Sequence, residues 1–242
     1  MIGIQLYSLR EMAGREGPEA VFRAAAEAGF DGVEFAGFYG LSPEEIGALL
    51  QKYNLTAMSA HIGVSALEEQ LPFVRALKIP AVYMPCPGPE DLDSEANLTA
   101  FTERMRACQT RLAPLGVRYG YHNHYMEYRE EGDLVARFLE ALPGLTAELD
   151  VFWAQASGRD PVALMQKYGD RLSCLHIKEL SPDGPEAPNP VVGEGAVDMP
   201  AVFAQAARMG VQTFVLEAER FDIPERDYLA RSCAAMKKLA GA

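Results

Sequence analysis

Apolar and polar positions alternate over Ile2–Tyr7, and the chain then turns polar at Ser8-Leu9-Arg10-Glu11, the signature of a short strand running into a loop. Pro18–Ala28 (PEAVFRAAAEA) has the composition of a helix, and Gly29 is placed to end it. Asp31–Ala36 (DGVEFA) reads as a second strand. At Ser42-Pro43-Glu44-Glu45 a helix begins, with Ser42 as N-cap, Pro43 at the first helical position and Glu45 at the capping-box position; it runs to about Tyr53. The alternation then repeats. Leu55–Ile62, Pro80–Pro85, Val117–His124, Leu145–Val151, Arg171–Glu179 and Val211–Glu219 are predicted strands. Ala66–Leu77, Ser94–Leu115, Asp133–Ala141, Pro161–Tyr168, Met199–Met209 and Pro224–Leu239 are the helices that follow them. One long irregular stretch, Ser181–Asp198, separates the seventh strand from its helix, and a connection of that length in a compact domain is usually functional or disordered.

Eight strands alternating with eight helices in 242 residues is the arithmetic of an α/β chain folded as a (β/α)8 TIM barrel, one domain spanning residues 1–242. A doubly wound open sheet is the competing architecture. It usually carries a glycine-rich phosphate loop after its first strand, and no GxGxxG follows Ile2–Tyr7.

Composition narrows the function classes. Hydrophobic residues at 49% with 23% charged are ordinary for a folded soluble protein and exclude disorder as the main state. A net charge of −12 repels phosphate backbones and argues against nucleic-acid partners. The start, Met1-Ile2-Gly3-Ile4-Gln5, lacks the basic and apolar regions of a signal peptide, and no apolar run is long enough to span a membrane. Cys86, Cys108, Cys174 and Cys233 are scattered without a CxxC pair, as expected of free thiols in a reducing cytoplasm.

In such barrels the chemistry sits at the C-terminal strand ends. Those ends offer Gln5 and Tyr7, Glu34, His61, Tyr83 and Pro85, His122 and His124 with Glu127 just beyond, Glu148 and Asp150, His176 and Lys178, and Glu217 and Glu219. All four histidines fall on predicted strands and none on a helix. His122 and His124, two residues apart on a strand, point to the same face. His122, Asp150, His176 and Glu217 come from consecutive strands about 4.8 Å apart and can converge on one ion. Such a mixed imidazole and carboxylate set suits Mn, Fe, Co, Zn or Mg with positions left open for substrate. The alternative is a buried ion-pair network in the barrel mouth.

These fragments also carry a resemblance. Gln5-Leu6-Tyr7-Ser8-Leu9-Arg10, Gly32-Val33-Glu34, Ser59-Ala60-His61, His122-Asn123-His124, Leu149-Asp150-Val151-Phe152-Trp153-Ala154, His176-Ile177-Lys178, Gly193-Glu194-Gly195 and Leu216-Glu217-Ala218-Glu219 run from end to end of the chain. In order and spacing they resemble the xylose isomerase-like TIM barrel superfamily of sugar (and sugar phosphate) isomerases and epimerases, which includes inosose dehydratase-like members. The resemblance implies one divalent metal ion held by a strand-five Glu, a strand-six Asp, a strand-seven His and a strand-eight Glu. The last three carry over onto Asp150, His176 and Glu217. The strand-five place of the usual Glu-Asn-His pattern is taken by His122, with Glu127 as an alternative ligand from the loop. The departure weakens the family's scheme of two proton-transferring glutamates and keeps dehydration in view.

The chemistry common to these readings is proton abstraction beside a carbonyl, with a metal stabilising the developing charge. Glu217 and His124 are the expected bases, and Lys178 an electrostatic or proton-shuttling group unless it forms a salt bridge to Glu148 or Glu219. His61, Glu34, Glu127, Trp153, Glu194 and Glu219 are assigned to substrate contacts; for Glu194, between two glycines, the alternatives are closing over the substrate and a solvated loop carboxylate, and for Trp153 an apolar wall for a sugar ring and core packing. The expected partner is a small sugar or polyol, with no nucleic acid or membrane; assembly into a homo-oligomer is left open. A lyase removing water or a glycosidic leaving group from a keto-polyol or 3-keto sugar is the alternative. Endonuclease IV-like cleavage is opposed by the acidic charge and by having only four histidines.

Overall fold

In the computed structural model, which describes residues 1–129 and 132–241, eight parallel strands close into a barrel in sequence order. The strands are β1 (Ile2–Gln5), β2 (Gly32–Phe35), β3 (Thr56–His61), β4 (Ala81–Met84), β5 (Arg118–His122), β6 (Thr146–Asp150), β7 (Leu172–Ile177) and β8 (Phe214–Leu216). The helices are α1 (Arg10–Glu16), α2 (Pro18–Ala28), α3 (Pro43–Tyr53), α4 (Leu67–Ala76), α5 (Glu95–Leu112), α6 (Leu134–Ala141), α7 (Val151–Ala156), α8 (Pro161–Tyr168), α9 (Met199–Met209) and α10 (Glu225–Ala240). No described helix is long and apolar enough to cross a membrane.

Local signals act as the sequence predicts. Ser42 Oγ accepts the Glu45 N–H while Glu45 accepts the Ser42 N–H, closing the capping box of α3. Gly29 ends α2 in the left-handed region at φ 92°. Two helices lie outside the prediction. In α1 the chain after the first strand coils at once. In α7 it is Asp150 that starts the helix, its Oδ1 accepting the Trp153 N–H, so one residue ends a strand and caps a helix. Strands five, seven and eight are also shorter than predicted, leaving His124, Lys178, Glu217 and Glu219 just past the sheet.

The outward strand faces are apolar. Ile4 lies level with Val33 and Leu216, Leu149 with Leu175, and Ile177 with Leu216, all of them buried in the main core with the helices. The inner face divides in two. Toward the strand starts, Met58, Ala81, Tyr83, Cys174 and Val215 fill the barrel. Glycines make the room: a Cβ on Gly3 would lie 2.4 Å from Met58 Sδ, and one on Gly120 2.5 Å from the Tyr83 ring. Above this plug the inner face turns polar.

This packing makes a prediction for unfolding in urea. Gly120→Ala drives a methyl into the fully buried Tyr83 ring and should cost about 1–3 kcal/mol. Gly14→Ala, in α1 with nothing within 4 Å of the new Cβ, should be neutral or add up to about 1 kcal/mol.

Candidate functional site

Glu34 anchors the first polar layer. It lies level with Gln5 on one side and Ser59 on the other and is fully buried. Gln5 Nε2 donates to its Oε1 at 2.7 Å, the Ser59 hydroxyl donates to Oε2, and His176 Nε2 donates to Oε1 at 2.7 Å. His61 Nε2 lies 3.1 Å from Glu34 and 2.6 Å from Glu148 Oε2. His122 Nδ1 sits 3.2 Å from that same Glu148 oxygen. Burial opposes charge on His61, but Glu34 and Glu148 outweigh it and hold its pKa at about 10. For Glu34, burial is overcome by His61 and His176, and the carboxyl stays well below its usual range. Burial and the Glu34 charge push Glu148 up. Burial and the neighbouring His176 and His61 push His122 well down.

The second layer lies one step nearer the mouth. Asp150 is level with His176, and Glu217 lies two residues beyond Val215, the residue level with His176 on β8. His176 turns Nε2 down to Glu34, leaving Nδ1 facing Glu217 Oε2 at 3.4 Å and Asp150 Oδ2 at 3.9 Å. Neither His176 Nδ1 nor Asp150 Oδ2 has a hydrogen-bond partner, although both are buried. Buried polar atoms are normally paired, so two unpaired ones aimed at a third donor mark a place for a ligand. Among the described residues, two sets bring donor atoms within 4.8 Å of one another: Asp150, His176 and Glu217; and His61, His122, Glu148 and His176. The imidazole–carboxylate donors of the upper set fit a divalent ion, and the Glu34 carboxylate behind His176 fixes its tautomer as such sites require. Burial and Glu217 raise Asp150 to about 7, against the pull of Lys178 and His176. Glu217 goes the other way: Lys178 and His176 overcome burial and hold it low.

Lys178 is itself buried, 3.3 Å from Glu217 Oε1 and bonded to Glu219, with its ammonium over the Phe152 and Trp153 rings. Burial would discharge it, but Glu217, Asp150 and Glu219 raise its pKa. Above these groups opens a cavity of about 330 Å3, lined by Tyr7, Ala36, His61, Pro85, Cys86, His122, His124, Glu217 and Glu219. Burial lowers His124 to about 4, leaving a neutral ring on the cavity wall.

All four histidines thus meet, with His122 and His176 ring centroids 4.5 Å apart, but not all where expected. Asp150, His176 and Glu217 come together as predicted, while His122 groups with His61 and Glu148 instead. The cause is register: His122 is level with Glu148, two residues before Asp150, and so sits a layer deeper. Glu127 turns away from the cavity, accepting from the Tyr121 hydroxyl at 2.6 Å and the His124 N–H at 2.8 Å. Glu34 lies under the histidines rather than against the cavity, and Trp153 packs on Lys178 and His124 without lining it. Glu194 does not line the cavity either; it pairs with Arg231 on α10 at 2.6 Å. Its flanking glycines serve Glu179: Gly193 N–H donates to that carboxylate at 2.9 Å, and a Cβ on Gly195 would strike it.

One strand-end carboxylate takes a role the sequence does not assign to it, and two loop residues are not singled out at all. Glu148 is readable as the residue two before Asp150 on the same inner face, but its partner is His61 rather than Lys178. Glu179 and Asn189 organise the long loop. Asn189 donates to the Glu179 carbonyl and accepts from the Glu219 N–H, tying the loop to the last strand end. No sequence signal distinguishes Asn189 from other polar loop residues.

Comparison with known proteins agrees with this architecture. Residues 22–239 match the family model of the xylose isomerase-like TIM barrel. The chain is 25% identical over 250 residues to an inosose dehydratase of Geobacillus kaustophilus (strain HTA426), covering 84% of this chain and 80% of that one. A sugar phosphate isomerase/epimerase from Parabacteroides distasonis ATCC 8503 superposes with a TM-score of 0.78 at 20% identity, over 99% of this chain and 93% of the other. D-allulose 3-epimerase from Methylomonas sp., in complex with D-allulose, gives a TM-score of 0.76 at 18% identity, over 98% and 96%. Family members include isomerases, epimerases and dehydratases. The family match spans most of the barrel and both polar layers: the chain belongs to the xylose isomerase-like TIM barrel family.

Proposed function

We propose that the protein is a divalent-metal-dependent sugar or keto-polyol isomerase or epimerase that moves a proton on the carbon next to a carbonyl. The observation that carries this reading is the pair of unbonded buried donors, His176 Nδ1 and Asp150 Oδ2, set against Glu217 at the floor of the cavity. Asp150, His176 and Glu217 would hold the ion, with His122 one layer below. A divalent ion bound there supplies Lewis-acid polarisation of a substrate carbonyl.

The chain's own groups complete the chemistry. His124 presents an unprotonated imidazole on the cavity wall, free to take a proton from a carbon acid once a substrate and an ion change the surroundings that now lower its basicity. Glu217 reaches the cavity from the strand-eight side and is the second partner in proton transfer. Lys178 keeps Glu217 ionised and places a fixed positive charge beside the site. One observation favours dehydration as a second reading. The strand-five position carries His122, buried on Glu148, so among the described residues the cavity does not present the symmetric pair of carboxylates that a two-faced epimerase uses. The similarity to an inosose dehydratase points the same way.

Metal analysis of the purified protein, followed by deuterium wash-in from heavy water across a panel of keto-sugars and inososes, tests the proposal. Isomerisation or epimerisation in ordinary water leaves the product mass equal to that of the substrate, whereas dehydration removes one water. Asp150→Ala should lose the bound ion; full metal content and exchange in that variant would overturn the reading. His124→Gln should keep the ion but slow exchange by about 10^2–10^4-fold, the usual range for a lost general base. Glu148→Ala bears on the lower layer. It removes one of the two carboxylates that hold the charged His61, leaving Glu34 at 3.1 Å, and should lower the free energy of unfolding by about 1–3 kcal/mol, read from urea denaturation.

A further inference from the structure

We infer that the site accepts a neutral, unphosphorylated polyol or sugar and discriminates against its phosphate esters. This rests on the proposed reading of the cavity as the place where a carbonyl compound reacts. A phosphate needs a free cation, a set of unspent backbone N–H groups, or a helix N-terminus. Among the described residues, the cations beside this cavity and the two helical turns that open at it are already engaged by groups of the protein.

Lys178 comes first. Its side chain is 1% exposed, two carboxylates, Glu217 and Glu219, share its ammonium, and two aromatic rings cover it. Arg10 stands beside the mouth, but its guanidinium lies over the Tyr7 ring and donates to the Tyr7 carbonyl at 3.0 Å and the Glu219 carbonyl at 3.2 Å. Arg220, next to Glu219, is drawn outward to Glu186 at 3.0 Å. The helical turns that open at the site are capped from within. Asp150 Oδ1 holds the Trp153 N–H at the start of α7, and Gln5 Oε1 holds the Tyr7 N–H after β1. Both caps come from the polar core of the barrel, so a phosphate at either turn would displace a group that shapes the site.

The lining itself has a complementary character. Glu217 and Glu219 face the cavity, with Asp150 behind them. With a divalent ion in place, these three carboxylates are balanced by the ion and Lys178, at a formal charge of zero. A dianionic ester would enter against these carboxylates, and His61, which also lines the cavity, is itself engaged by Glu148 at 2.6 Å and Glu34 at 3.1 Å. Tyr7, Ala36 and Pro85 give the lining an apolar share that suits the C–H faces of a polyol, while the histidines and carboxylates suit its hydroxyls. A volume of about 330 Å3 lies at the small end of ligand sites, which fits one sugar-sized ring.

The test uses the full-length, metal-loaded protein with free ketohexoses and keto-inositols beside their phosphate monoesters. Binding is read by calorimetry and turnover by solvent-deuterium exchange, with inorganic phosphate as a competitor. At least one free compound should bind more tightly than its ester by about tenfold or more, a step of 1.4 kcal/mol, and inorganic phosphate should not displace it. Esters that bind as well as or better than the free compounds overturn the inference, as does binding of neither class. Free compounds that bind selectively without exchange or dehydration sink the reaction proposed above while the selectivity stands. Exchange confined to esters does the reverse. In Glu219→Gln, checked for unchanged melting, Lys178 keeps only Glu217, and the discrimination should narrow by about tenfold. Undiminished discrimination in that variant would remove the electrostatic basis of the proposal.

Discussion

The hydrogen bond from His176 to Glu34 settles how everything above it is arranged. An imidazole has two nitrogens, and the partner of one decides what the other can do. Glu34, bonded by Gln5, Ser59 and His176 and buried completely, captures Nε2 and so presents Nδ1 to Asp150 and Glu217. The carboxylate can be ionised at that depth because the neutral donors Gln5 and Ser59 and the paired histidines together offset its desolvation. Below it the barrel is closed by Met58, Tyr83 and their neighbours, which keep water from the underside. The apolar plug, the Glu34 layer and the donor triad are thus stacked, and each depends on the one beneath.

Period-two alternation makes much of this stack legible in the amino-acid sequence. On a parallel barrel it places Glu148 with Asp150 and His176 with Lys178 on the inner face, and the strand ends mark Asp150, His176 and Glu217 as one set. The limit is depth. Alternation says which face a side chain takes but not how far neighbouring strands are staggered, and the shift between Ala147 and Glu148 against β7 cannot be read from residue types. That is why residue types alone put His122 level with Asp150, whereas the strands pair it with Glu148. Helix α7 is hidden for a related reason. Asp150 reads as a ligand, and nothing in Leu149-Asp150-Val151 says that the same carboxylate also caps a turn.

Glycines mislead in an instructive way. Gly193 and Gly195 around Glu194 suggest a loop bending over a substrate. They instead let the backbone close on Glu179, whose buried carboxylate accepts the Gly193 and Val197 N–H groups. A long loop between β7 and α9 would be costly to order if its polar groups were left to solvent. Glu179 and Asn189 supply the bonds that fix it, and through Asn189 the loop holds the backbone of Glu219. The functional content of the loop is therefore indirect: it positions a strand end rather than offering a residue of its own.

Replacing a strand-five carboxylate by His122 has a consequence that follows from charge alone. A glutamate there would add one more anion to a barrel that already holds Glu34, Glu148, Asp150, Glu217 and Glu219 around one lysine. His122, kept from protonating by burial and by His176 and His61, adds none. The negative charge of the site is then concentrated on one side, at Asp150, Glu217 and Glu219, while His124 presents an uncharged ring from the strand-five side. Under the proposed reading, proton transfer in this cavity would be unsymmetrical from the outset, with an imidazole from one direction and a carboxylate tied to Lys178 from the other. That asymmetry suits a reaction in which one group removes a proton and a different group assists departure at the neighbouring carbon. An epimerisation on this scaffold would have to run through the same unequal pair.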